Sequence, residues 1–262
     1  MDSYIFKKNK NIIFIFLLLP IILCAQSYEV KYQTFFSGIH GNLQEIAEKV
    51  NNQKNNTSDE HTIEETLRYS DGVSFYGSSL QEYEVEDTEK SNENMIATNQ
   101  VEIVNYYKNQ RKNILAKHYI NWSPMIYGED ILVKSELLKY DWKITEEKTI
   151  ISGYPCTLAS TINENGYEVL AWFTDKIGIN DGPDTYWGLP GLILQLQIND
   201  RVLVLATSIK KLKEDVKIVE PTTKGKRMTP EEFKAFKKEM QKPRTITTPD
   251  GKIITISGFG NN

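Results

Sequence analysis

Histidine and cysteine are nearly absent: the chain has three histidines and two cysteines in 262 residues. His40, His61 and His118 are far apart in sequence, and none shows close ligand spacing with a cysteine, which argues against zinc. Two thiols cannot make a disulfide framework, so packing must hold the fold together. There is no basic stripe either. The formal charge is −4, which argues against nucleic acid or an anionic membrane surface as partner. Past the N-terminus, no apolar run is long enough to cross a membrane as a helix.

The N-terminus carries the one long apolar run. Lys7, Lys8 and Lys10 precede Ile12 to Leu23, an uncharged stretch interrupted only by Pro20. That pattern predicts a signal peptide over residues 1–25, with Ala25 before the cut and a mature chain starting near Gln26. The expected location is periplasmic or outer-membrane-associated. Lipid anchorage through Cys24 is the lesser alternative, because Leu23 stands where a lipobox wants a small side chain. Losing three lysines and Asp2 takes the formal charge from −4 to −6. Cys156 is then the sole thiol and has no partner within the chain.

Residues 26–262 read as one domain. Tyr28 to Phe35 alternates as a strand, and Leu43, Ile46, Ala47 and Val50 follow at helical spacing within 38–50. Two polar segments, 51–59 and 81–99, lack the apolar groups that would repay ordering and read as mobile. Strand pairs then recur around turn residues: Asp71-Gly72, the polar stretch Lys108 to Asn113, Asn165-Gly166 and Asn199-Asp200. This is a meander, not a βαβ repeat. Leu192, Leu194, Leu196 and Ile198 share one parity and Gln195 and Gln197 the other, predicting an apolar face beside a polar one. The fold expected is mainly β or α+β: a curved, half-barrel-like antiparallel sheet with one or two short accessory helices. A helix–hairpin extension over 228–262 closes the chain. There Thr229, Pro230 and Glu232 spell an N-cap, N1 and capping box.

The densest segment is Asp181 to Ile193, with Gly182, Pro183, Gly188, Pro190 and Gly191 around Tyr186 and Trp187. Trp142-Lys-Ile144, Ile151-Ser-Gly-Tyr-Pro-Cys156, Ala159, Ala171-Trp-Phe-Thr174, Gly182-Pro183 and Gly188 to Ile193 occur in order. Together they resemble the GLPGLI family, secreted proteins of the Bacteroidetes group with no established activity. The resemblance covers about 139–209; Lys148-Thr149 reverses the family's usual order. It implies an envelope accessory or ligand-binding role, sometimes beside outer-membrane receptors, and carries over no catalytic residue.

The structural signature is therefore Gly182, Pro183, Gly188, Leu189, Pro190, Gly191, Leu192 and Ile193, which turn and lock a strand entrance. Trp187, Tyr186, Trp172 and Tyr154 are the candidate ligand-contacting residues. The leading expectation is a non-enzymatic binding or accessory protein, for an apolar small molecule or an envelope protein partner such as an outer-membrane receptor. No cofactor, metal or catalytic residue is assigned. One alternative is a hydrolase or thiol enzyme using Cys156 or the Asp181/Asp184 region; the other is a purely structural envelope component. Asp181, Asp184 and nearby carbonyls could offer oxygens to calcium, without EF-hand spacing to support it. Cys156 reads as a buried core filler.

Overall fold

The computed structural model describes residues 26–52, 62–78, 103–122, 129–240, 242, 244–247 and 253–256. The predicted signal peptide, the 81–99 segment and most of 51–59 lie outside these residues. The chain runs β1 (Ser27–Phe36), α1 (Ser37–His40), α2 (Leu43–Asn52), β2 (Ile63–Ser70), β3 (Val73–Ser78), β4 (Ile103–Asn109), β5 (Ile114–Trp122) and β6 (Glu129–Ser135). It continues through β7 (Lys143–Ile151), β8 (Tyr154–Ile162), β9 (Glu168–Thr174), β10 (Leu192–Ile198), β11 (Val202–Lys211) and β12 (Lys226–Met228). Last come α3 (Pro230–Met240), β13 (Arg244–Thr247) and β14 (Ile253–Ile256).

Twelve strands form one open sheet in the order β12-β6-β5-β4-β3-β2-β1-β11-β10-β9-β8-β7. Every pairing is antiparallel except β12 on β6. β1 stands mid-sheet between β2 and β11, so two meandering arms spread from it. Curvature follows from chain length. If the sheet were flat, β6 and β7 would lie about 48 Å apart, at about 4.8 Å per neighbouring pair. Residues 136–142, which join them, span at most about 27 Å even when extended. The arms must curl toward each other, and the expected curved sheet is what forms.

The hairpins use the turn chemistry their sequences offer. Asp71 (φ 50°) and Gly72 (φ 76°) join β2 to β3 with both residues left-handed, as a two-residue hairpin requires. Ser152-Gly153 joins β7 to β8 in the same way (φ 50° and 82°). The expected 38–50 helix is broken at Gly41 (φ 83°), and Asn42 restarts it as α2 by accepting the Gln44 N–H at 2.9 Å.

Two sequence expectations are corrected. The 108–113 stretch is not all turn: Lys108 and Asn109 belong to β4, and Lys108 is fully buried. The apolar/polar parity of β10 also fails. A bulge between Ile193 and Gln195 shifts its register on β9, and Gln195 is buried along with Leu192 to Leu196. One extra residue reverses the facing of everything beyond it. α2 packs on β11, which helps bury that side of the sheet.

The C-terminal expectations hold. Thr229 N–H donates to Glu232 Oε2 at 2.8 Å, and Glu232 N–H to Thr229 Oγ1 at 3.2 Å. Phe233 of α3 is buried with Ile131 and Val133 of β6, and β13 pairs with β14. Thr229→Ala removes one half of the capping box. It should cost about 1 kcal/mol, read as a shifted urea midpoint.

Candidate functional site

Residues 175–191, between β9 and β10, fill the inside of the curl. They are held there by a lysine reaching in from the other arm. Lys108 Nζ lies 2.6 Å from Asp181 Oδ1, and both side chains are 0 % exposed. The same ammonium donates to the carbonyls of Gly182 (2.8 Å), Asp184 (2.9 Å) and Tyr186 (3.4 Å). An ammonium thus sits among four oxygens, much as a bound cation would, and binds the backbone of the signature segment to β4. The oxygens that sequence could offer to calcium surround Lys108 instead.

Asp181 is the other half of this knot. Its Oδ1 accepts the Gly182 N–H at 2.7 Å, and its carbonyl accepts the Ile193 N–H at 3.0 Å. It also forms an antiparallel bridge with Trp187. From the sheet floor, Tyr32 donates its hydroxyl to the Ile193 carbonyl at 2.7 Å. Ile177, Ile179, Leu189, Leu192 and Ile193 then complete the same core as Val30, Leu67 and Leu196.

The 136–142 connection straps the plug from the other side. Trp187 donates its indole N–H to the Leu138 carbonyl at 2.6 Å, and Trp142 donates to the Trp187 carbonyl at 2.9 Å. Tyr140 stacks on Tyr186 with ring centroids 4.9 Å apart and shares a 2.6 Å hydrogen bond with Thr185.

The four aromatics singled out from sequence do not meet on one surface. Tyr186 is buried in the plug and Trp187 is half-buried under the strap. Trp172 pairs with Leu158 and Gln195, one residue out of phase with Phe173, which pairs with Ile193. Trp172 and the same-parity Tyr154 therefore occupy the other side of the sheet. Both are half-buried against the core.

Cys156 is 2 % exposed, and its Sγ contacts the Tyr154 carbonyl at 3.4 Å. Burial pushes the thiol up to about 11, the wrong direction for a nucleophile. His40 is occupied with the Phe36 backbone and His118 faces Asp130 at 3.9 Å. Cys156 in the native protein at about pH 8 should therefore resist alkylation that goes to completion in denaturant; fast native labelling mapped to Cys156 would restore it as a reactive group.

A second cluster of titratable side chains lies on the concave face, and the sequence pointed to only one member of it. Asp184 is held in a left-handed turn (φ 55°) and is only partly buried. Its carboxyl is raised from the ordinary range, chiefly by burial, with Lys117 and Lys108 opposing and a Tyr106 hydrogen bond lowering it. Glu65 on β2 is raised as well, by burial and by the charge of Asp184. Tyr76 donates to Glu65 Oε2 at 2.5 Å and Thr34 at 3.2 Å. Lys117 points the same way and reaches Glu164 at 3.6 Å. Strand parity puts Glu65, Tyr76, Tyr106 and Lys117 on one face. The two aspartates of the signature thus divide: Asp181 is paired with Lys108, and Asp184 faces Tyr106 with its carboxyl raised by burial.

This pair has a pH signature. Both carboxyls hold protons more tightly folded than unfolded, so their ionisation opposes folding. Stability from them is gained as pH falls from neutral through the raised folded values, and levels off below the ordinary carboxylate range near about 4. Glu65→Gln/Asp184→Asn should lose that gain, seen as a smaller acid-side rise in melting temperature than the parent protein shows.

Residues 161–195 match the model of a family described as a protein of unknown function (Porph_ging). That span runs from the end of β8 through the plug into β10. No curated protein matches the chain. Two solved structures of PNGF-II, in the P21 and C2 space groups, resemble it at 18 % identity, with TM-scores of 0.54 and 0.51. Each alignment covers 86 % of this chain and 35 % of the PNGF-II chain. The chain thus spans about a third of the length of those proteins, and the likeness is one of fold.

Proposed function

We propose that this is an exported, non-enzymatic accessory protein of the cell envelope that works through contacts with other proteins. One observation carries this reading: the signature segment is used inside the molecule, where the Lys108–Asp181 knot and the strap fix it as a plug. Among the described residues, the protein's own chain packs into the concave face where an apolar guest would otherwise sit. On the opposite face, the groove lined by Glu168, Leu170, Gln197, Asn199, Asp200 and Arg201 is shallow, about 350 Å³, and mostly polar. Apolar ligands favour deep apolar pockets instead. Export is supported by the basic N-terminus and its apolar run, and whole-chain kinship with the GLPGLI proteins by the ordered motifs over 139–209.

Cross-linking in the host envelope followed by native mass spectrometry of the purified complex tests the reading. A stoichiometric envelope protein partner supports it. A co-purifying lipid or other small apolar molecule with no protein would overturn it.

A second reading has its own support. Asp184 and Glu65 are carboxyls whose proton affinity burial raises, on one concave face, the environment acid–base chemistry uses. This retains the hydrolase alternative in the Asp184 neighbourhood, without Cys156. A hydrolytic activity abolished by Asp184→Asn in a stably folded variant would favour it over the accessory role.

A further inference from the structure

Among the described residues β7 ends the sheet, paired with β8 on one side only. From Lys143 to Ile150 every residue but Thr145 is exposed, including Ile144 at 52 % and Ile150 at 69 %. Large aliphatic side chains on an open edge invite another strand. The charges here select which strand. Glu146, Glu147 and Lys148 disfavour partners and registers that set like charges opposite them.

One antiparallel register turns those charges into attractions. With Glu147 opposite its own counterpart, Glu146 faces Lys148 twice, Thr145 faces Thr149 twice, and Ile144 faces Ile150 twice. The faces also agree. Ile144 pairs with Ala159 and Ile150 with Pro155 of β8, residues of one parity, so both isoleucines stand on the same side, as opposed residues must. Between Ile144 and Lys148 β7 bulges, with three of its residues opposite Leu158 of β8. Thr145 Oγ1 donates to the Leu158 carbonyl and accepts the Glu147 N–H, both at 3.2 Å. The Glu147 N–H is therefore engaged within its own strand, as suits a central pair that exchanges no backbone hydrogen bonds.

We infer that β7 is the interface for a second copy of this chain, joined edge to edge about a two-fold axis through Glu147. The contact is self-complementary, as a two-fold interface requires, and continues the sheet across both molecules. It is short compared with interfaces of about 1,600 Å², so the dimer is concentration-dependent. The two glutamates on the axis oppose it.

Sedimentation velocity over a wide concentration range tests this on the whole chain. The parent protein should pass from monomer to dimer. Lys148→Glu and Glu146→Lys each place like charges opposite one another twice, and each should weaken self-association by about tenfold or more. Mixed together, these two variants restore both opposite-charge pairs and should form a mixed dimer, which also shows that each is folded. Glu147→Gln should tighten the parent dimer. A protein that stays monomeric throughout, a dimer indifferent to Lys148→Glu, or variants that fail to associate when mixed would each overturn the assignment.

Discussion

Lys108→Ala should destabilise the protein by about 3–5 kcal/mol, the range for breaking a buried ion pair from one side. Nothing at the protein surface would suggest so large an effect. The loss of the ammonium strands the Asp181 carboxylate, which is 0 % exposed, and withdraws a donor from three carbonyls at once. Unmet buried acceptors are costly because water cannot reach them. Urea unfolding followed by tryptophan fluorescence would show the loss as a lowered midpoint. The same experiment on Asp181→Asn and on the double variant closes a cycle. The double variant should cost clearly less than the two singles combined, since each single leaves the other charge without its partner. An additive cycle would mean that the pair does not hold the plug.

Gly191→Ala is expected to cost about 3 kcal/mol, the upper end of the usual overpacking range. A methyl at this position would run into the carbonyl oxygen of Thr174. That oxygen belongs to the backbone of β9 next to the plug and has no rotamer to escape into. Gly178, in the same connection, supplies the control: its Cβ position is open, with nothing within 4 Å. Gly178→Ala should be neutral or slightly stabilising, because alanine has fewer unfolded conformations than glycine. Thermal melts of the two variants side by side would separate the effect of close approach from that of glycine loss. Equal melting temperatures would remove the explanation.

Local chemistry was legible and long-range chemistry was not. The Thr229–Glu232 capping box, the Asp71-Gly72 hairpin and the C-terminal strand pair are written within a few neighbouring residues, and all appear as expected. Lys108 was not readable as a core residue. A lysine beside Asn109 and Gln110 reads as solvated turn, and its partner Asp181 lies far along the chain. Parity held one clue, since Tyr106 and Lys108 share a face. Glu65 is similar: it shares its parity with Leu67 and Tyr69, yet nothing nearby in sequence announces Asp184. The β10 bulge hid for another reason. Leu194 to Ile198 alternates cleanly in sequence, and only the register against β9 shows where it slips. The strap across the plug depends on how far the sheet curls, a property of the whole chain.

The position of β1 sets the order in which the molecule can be finished. Tyr28 lies opposite Lys211, and Phe36 opposite Val202, so a strand made near the start waits for one made near the end. Neither arm alone can seal the seam between them, and the plug has no complete floor until both are present. Closing loops this long before any contact repays them slows folding. The chain should therefore reach its native state in one late step, milliseconds to seconds after the last strand becomes available. Until then its central strand stays one partner short.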